Sequence, residues 1–134
     1  MRLAPVLLIT VLTLAGCTSV PNAPSVSTGE YNGPVEDFEV EETEGISALW
    51  VDGGERIAIL THGSSSCAPY PTAVTVVGES VEITTALNGG DVCSADMAAN
   101  TFEVETPAGV DAGSELELVL VGKDSRSELT VPAL

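Results

Sequence analysis

The chain has 134 residues and is strongly acidic, with 20 Asp and Glu residues against four Lys and Arg residues and a formal net charge of −16. Surfaces that bind nucleic acid or anionic membranes need clustered Lys and Arg, so this composition argues against both functions. Acidity alone is explained by solubility, because a high net charge keeps proteins apart whatever they do. A cationic partner or divalent cations are compatible with it.

Residues 1–16 have the pattern of a cleavable targeting segment. A short positive start, Met1-Arg2, precedes an apolar stretch at residues 3–14 that is rich in Leu, Val, Ile and Ala. Twelve residues in a helix span about 18 Å, which is less than the ~30 Å hydrocarbon core of a bilayer. The segment is therefore predicted to be a signal peptide rather than a membrane-spanning helix.

The end of this segment, Leu14-Ala15-Gly16-Cys17, resembles the lipobox of bacterial lipoprotein precursors. The resemblance covers residues 1–17 and implies cleavage before Cys17, a diacylglyceryl thioether on its sulfur, and acylation, such as palmitate, of the new amino group. Two or more acyl chains suffice for stable anchoring, since each buried CH₂ contributes about 0.8 kcal/mol. We therefore expect a lipid-anchored protein on the extracytoplasmic face of the cell membrane, held there through Cys17.

Residues 17–45 are predicted to form the lipidated N-terminus and a flexible acidic linker. They contain no Lys or Arg and are interrupted by Pro, Gly and Asn, and an acidic run extends from Glu36 to Glu44. Such a segment buries too little apolar surface to offset the entropy lost on ordering. As a coil it would span about 30 Å and hold the following domain off the membrane. Phe38 and Val40 alternate with acids, which leaves a first strand open there.

Seven short runs between residues 46 and 134 predict β-strands, because apolar residues alternate with polar ones and turn residues bound each run. In the fifth run, Phe102 and Val104 fall on one face, and Thr101, Glu103 and Glu105 on the other. Ser94–Asn100 is predicted to be a brief helical turn. The predicted strands are Ile46–Val51, Arg56–Thr61, Ala73–Val77, Val81–Ala86, Thr101–Thr106, Glu115–Val121 and Arg126–Val131.

These runs indicate an all-β domain at residues 46–134, a small seven-stranded immunoglobulin-like β-sandwich. The only tryptophan, Trp50, is expected in its core. Gly78 suits the first position of a tight two-residue turn, so a hairpin is predicted with Val77 and Ser80 flanking that turn.

With Cys17 assigned to the lipid, two cysteines remain, Cys67 and Cys93. An exported chain meets an oxidising compartment, so these two are predicted to form a disulfide. The hairpin places both at its open end, with an expected Cα–Cα distance of about 5–6 Å. Closing a loop of this size contributes roughly 3–4 kcal/mol of stability. A metal site or reactive thiol is the alternative, but zinc sites need close Cys and His pairs that this chain lacks.

The segment Ser64-Ser65-Ser66-Cys67-Ala68-Pro69 lies ahead of the hairpin, and Cys93-Ser94-Ala95-Asp96 follows it. This arrangement resembles small uncharacterised lipoproteins and secreted proteins of high-GC Gram-positive bacteria, over about residues 46–134. The resemblance implies an extracytoplasmic setting and a fold type. It favours an envelope with one membrane, although the sequence leaves open whether one membrane or two surround the cell. It implies no activity.

Two stretches raise the question of chemistry. His62 beside three serines suggests a hydrolase, but nucleophilic catalysis needs an oriented base and an oxyanion hole, and no G-x-S-x-G elbow is present. Asn88-Gly89-Gly90-Asp91 and Asp96 offer oxygen atoms to Ca²⁺, but the EF-hand pattern is absent. We therefore predict no catalytic residues, no metal and no cofactor.

The leading hypothesis is a non-enzymatic, membrane-anchored lipoprotein that acts as a binding module or as an accessory subunit of a cell-envelope complex. One alternative is a small hydrolytic enzyme using His62 and a nearby serine. Another is a passive structural protein of the envelope. The partner, the ligand and the oligomeric state are left open by the sequence.

Overall fold

The computed structural model describes residues 24–35, residue 38 and residues 45–134. The predicted signal peptide, the lipidation site Cys17 and most of the acidic run lie outside the described residues. Val40 also lies outside them. Phe38 is described as half-buried and outside any strand, with its N–H donating to the Val35 carbonyl oxygen at 3.1 Å.

The described chain forms eight strands, so the all-β prediction is confirmed while the predicted count of seven is one too low. The part of the chain that the model describes contains no α-helix, and the helical turn predicted for Ser94–Asn100 is wrong because its last three residues begin a strand. The strands are β1 Gly29–Asn32, β2 Ile46–Val51, β3 Arg56–Gly63, β4 Pro69–Val77, β5 Ser80–Leu87, β6 Ala98–Glu105, β7 Leu116–Val121 and β8 Arg126–Val131.

Two four-stranded sheets pack face to face as a sandwich. Sheet A has the order β1-β6-β3-β2, and sheet B has the order β4-β5-β7-β8. Neighbouring strands are antiparallel except β5 and β7, which run parallel. The chain leaves sheet B after β5, contributes β6 to sheet A, and returns to sheet B as β7. This parallel pair distinguishes the fold from the antiparallel sheets of immunoglobulin domains.

The additional strand, β1, lies inside the segment predicted to be a linker. Its four residues pair with β6, and the turn of chain before it reaches both sheets. The Val26 N–H donates to the Pro71 carbonyl of sheet B at 2.9 Å, and the Thr28 N–H donates to the Glu103 carbonyl of sheet A at 2.8 Å. Backbone pairing rather than apolar side chains holds this strand, so an alternation pattern does not reveal it.

The core lies between the sheets and is built from the inward faces of the central strands. Sheet A contributes Ile57 and Ile59 from β3 and Phe102 and Val104 from β6, all nearly inaccessible to solvent. Trp50 is buried in the same cluster, as predicted. Burial of each large apolar side chain contributes about 1.5–3 kcal/mol, and this cluster fixes how the sheets face each other.

The outward side of β6 differs from the prediction in exposure. Phe102 and Val104 do face the core, but Glu103 on the opposite side is only 4% exposed. The guanidinium group of Arg56 donates to the Glu103 carboxylate and also to Asp52, so the buried charge is compensated. Thr101 is buried as well and donates to the Gly33 carbonyl oxygen at 2.7 Å.

The β4–β5 hairpin and the disulfide are confirmed. Val77 pairs with Ser80 across the two-residue turn, and Gly78 there has a φ of +64° that favours glycine. At the other end of the hairpin, Cys67 and Cys93 are bonded with a Cα–Cα distance of 5.5 Å. The disulfide therefore marks one end of the sandwich, here called the disulfide end.

Candidate functional site

A cleft of about 520 Å³ opens between the two sheets at the disulfide end. Its floor is formed by Phe102 of sheet A and Leu120 of sheet B, two members of the core cluster. Ile46 and Ala86 line its walls, and Cys67 and Cys93 line its side. The volume lies in the range of small-molecule sites, which are concave, mostly apolar and carry a few polar groups.

Two loops, residues 64–68 and 88–97, frame this cleft and are joined by the disulfide. The Asn88 N–H donates to the Ala68 carbonyl oxygen at 2.8 Å, which extends the β4–β5 ladder towards the loops. Gly89 has a φ of +105°, and a Cβ there would overlap the Ser66 carbonyl oxygen. Glycine is therefore required at this position for the loops to approach each other.

Hydroxyl groups tie the same two loops together on the outside. The Ser94 hydroxyl lies 2.8 Å from the Ser64 hydroxyl and 3.1 Å from that of Ser66, and the Ser94 N–H donates to the Ser66 hydroxyl at 2.8 Å. Asp96 accepts a hydrogen bond from the Ser65 N–H at 3.1 Å and another from the Ser94 hydroxyl. Hydrogen bonds from Ser65 and then Ser94 lower the pKa of Asp96 to about 2. The Asp96 carboxylate therefore links the two loops by hydrogen bonds.

His62 lines the cleft together with Ser64, so two residues of the suggested hydrolase come close to one site. The Nδ1 atom of His62 lies 3.2 Å from the Gly45 carbonyl oxygen. Between residues 45 and 134, no hydrogen bond joins the imidazole to Ser64, Ser65 or Ser66, whose hydroxyls instead contact Ser94. In the described chain, His62 therefore lacks the contact with a serine hydroxyl that links base and nucleophile in a serine hydrolase.

The oxygen atoms considered for Ca²⁺ do not form a shared site in the described chain. Asp96 is used by the serine cluster, and Asn88 begins the loop that carries Asp91. Among the described residues, no group of three or more His, Cys, Asp or Glu is placed to hold a metal ion. The described part of the chain also has no helix of the length and apolarity needed to cross a membrane.

Sequence reasoning missed Lys123, which lines the cleft from the turn between β7 and β8. This turn is closed by the Gly122 N–H, which donates to the Ser125 carbonyl oxygen at 2.9 Å. Ser125 and Ser127 also line the cleft. A lysine in a polar turn gives no sequence signal of its own, because the cleft that it lines is completed by residues of the opposite sheet.

Exposed apolar side chains surround the disulfide end. Leu87 also lines the cleft and is 64% exposed, Val92 is 87% exposed, and Met97 is 64% exposed. All three belong to the end of β5 and the loop that follows. Single exposed apolar residues are common, but three close in sequence beside a cleft mark an apolar rim.

Comparisons with known proteins returned no match to the chain among family models, curated proteins or solved structures.

Proposed function

We propose that this chain is a lipid-anchored extracytoplasmic binding module, with a small apolar ligand held in the cleft at the disulfide end. The cleft carries the proposal, because its space of about 520 Å³ lies between the sheets and is lined by the core residues Phe102 and Leu120. A passive structural role does not account for such an opening between the sheets. An apolar ligand that filled it would bury apolar surface and gain dispersion contacts, both of which favour binding.

The anchor is supported by the resemblance of Leu14-Ala15-Gly16-Cys17 to a lipobox. The first described contact with the sandwich is made by Val26, only nine residues after Cys17. Nine residues reach at most about 32 Å when fully extended. The domain would therefore stay within about 32 Å of the lipidated cysteine, a shorter maximum reach than a linker of residues 17–45 would give.

The anchor is tested by mass spectrometry of the protein from cells, comparing the native chain with Cys17→Ala. The native chain should begin at Cys17 with the added mass of three acyl chains or two, and should fractionate with membranes. The Cys17→Ala chain should carry no lipid. Release of an unmodified native chain would contradict the anchor.

Ligand binding is tested with the neutral fluorescent probe N-phenyl-1-naphthylamine. Thr85 lines the cleft and shares a face of β5 with the buried Ile83, whereas Thr84 is exposed and outside the cleft. Thr85→Trp should fill the cleft and abolish the fluorescence increase, while Thr84→Trp should leave it unchanged. Absence of probe binding to the native chain would reject the proposed function.

An accessory subunit of an envelope complex is a second candidate, favoured by the apolar rim of Leu87, Val92 and Met97. Such side chains occur at the centres of protein interfaces, surrounded by polar groups. In-cell crosslinking followed by mass spectrometry should recover one stoichiometric partner, and Val92→Asp should weaken its recovery. Recovery of the same partner by Val92→Asp would count against this candidate.

A further inference from the structure

The three Lys and Arg residues in the described part of this acidic chain differ in whether they form ion pairs. Arg56 is paired with Asp52 and Glu103, and Arg126 contacts Glu82 and Glu128 at 3.3 and 3.7 Å. Lys123 has no described carboxylate within ion-pair distance.

Lys123, which is unpaired within the described chain, lies at the cleft. Its position is on the rim, whereas Phe102 and Leu120 form the floor of the same cleft. Ser125 and Ser127 line the same side, and their hydroxyls make no hydrogen bond within the described chain. A charged donor and two hydroxyl donors therefore stand beside an apolar space, which matches the division of an amphipathic anion into head and tail.

The charge around the rim limits how the head group can be recognised. Asp124 also lines the cleft, and the chain as a whole repels anions. Long-range attraction therefore cannot favour an anion here, and the head group must contact Lys123 directly. A carboxylate meets that need, because a short charge-assisted hydrogen bond is about twice as strong as a neutral one.

We propose that the cleft binds a free single-chain carboxylate, with its hydrocarbon tail against Phe102 and Leu120 and its carboxylate on Lys123. The assignment rests on the proposed function, since it specifies the ligand of the same cleft. Ser125 and Ser127 complete the contacts of the carboxylate oxygens. Neutral molecules of the same length fill the apolar part and leave Lys123 unpaired.

The test is displacement of N-phenyl-1-naphthylamine by decanoate and by decanol, which differ only in the head group. In the native chain, decanoate should bind about tenfold more tightly than decanol, as expected for one hydrogen bond to a charged group. Lys123→Gln should remove this preference and leave decanol unaffected. Arg126→Gln is the matched control, because it removes one positive charge from an exposed position outside the cleft.

Each outcome separates the two proposals. Failure of the neutral probe to bind rejects the proposed function and with it the ligand class. Equal displacement by decanoate and decanol rejects the carboxylate and leaves an apolar cleft. A decanoate preference that survives in Lys123→Gln, or that is lost equally in Arg126→Gln, rejects Lys123 as the contact. Displacement by phosphatidylglycerol vesicles but not by decanoate assigns the cleft to membrane lipid and overturns the free carboxylate.

Discussion

The two ends of the sandwich are built from the same strands but are finished differently. At the end opposite the disulfide, the space between the sheets is filled by Trp50, Ile57, Val104 and Val131. The Leu134 N–H donates to the Ala112 carbonyl oxygen at 2.9 Å there. At the disulfide end, the core instead opens into the cleft.

The two ends therefore owe their stability to different interactions. The closed end is stabilised by packing, which is sensitive to the loss of any methyl group. The disulfide end is less densely packed, and it is stabilised by the Cys67–Cys93 disulfide and by the hydrogen bonds between its two loops. Substitutions at the closed end should therefore affect unfolding, and substitutions at the disulfide end should affect ligand binding as well.

The largest effect is expected from Ile57→Ala at the closed end. Ile57 is completely buried, so its truncation leaves a cavity and should lower the free energy of unfolding by about 4 kcal/mol. Ile46→Ala is the matched control, because Ile46 is 36% exposed and lines the open cleft, and about 1 kcal/mol is expected there. Urea unfolding followed by Trp50 fluorescence measures both. Equal losses would remove the distinction between the ends.

Removal of the disulfide should cost slightly less stability and should disturb the cleft. The double substitution Cys67→Ala/Cys93→Ala opens a loop with a sequence separation of 26, and the expected loss is about 3.5 kcal/mol. Because both cysteines line the cleft, N-phenyl-1-naphthylamine should bind at least tenfold more weakly at temperatures where the chain stays folded. Unchanged binding in the double variant would show that the loops hold the cleft without the bond.

A third comparison uses two arginines. Arg56→Met leaves the Glu103 carboxylate buried without its counter-charge, and about 2 kcal/mol of stability should be lost, a value reduced because Arg56 is itself 30% exposed. Arg126→Met breaks only exposed pairs on the outer face of sheet B, and under about 0.5 kcal/mol is expected. Urea unfolding at pH 7 compares them. Similar losses would mean that burial of Glu103 has no energetic consequence.

The smallest effect concerns acid. The pKa of Asp96 is lowered to about 2 by its serine partners, so its contribution to stability is complete above the ordinary carboxyl pKa. That contribution is lost as pH falls towards 2, because the unfolded chain takes up the proton first. Asp96→Asn should therefore flatten part of the stability loss between about pH 4 and pH 2. Titration of the Asp96 carboxyl by NMR checks the pKa, and an ordinary carboxyl pKa would contradict the hydrogen bonds from Ser65 and Ser94.

Alternation along the chain predicted β2 and the hairpin well, because each depends on neighbouring residues and short turns. The number of cysteines predicted the disulfide. It missed β1, whose pairing with β6 joins residues far apart in sequence. It placed Glu103 on the outward face, and only the position of Arg56 in the folded sheet explains how that carboxylate is buried. The first three residues of β6 are strand because they pair with β3, against the preference of their side chains.

The candidate site was the least predictable part. His62, Cys67 and Cys93 were singled out from the sequence, and the structure brings all three to the cleft. Lys123 comes from a distant hairpin and gave no local signal. A space between two sheets depends on how the sheets face each other, which no single stretch of sequence encodes.

The parallel pairing of β5 with β7 is expected to make folding slow and cooperative. Residues 88–115 connect these strands and include β6, so completing sheet B closes a loop whose middle belongs to sheet A. Folds dominated by such distant pairings form in roughly milliseconds to seconds, because loop-closure entropy is lost before the contacts compensate for it. Neither sheet is then a separate folding unit. Trp50 fluorescence in sheet A and amide protection in β7 should appear with one rate constant.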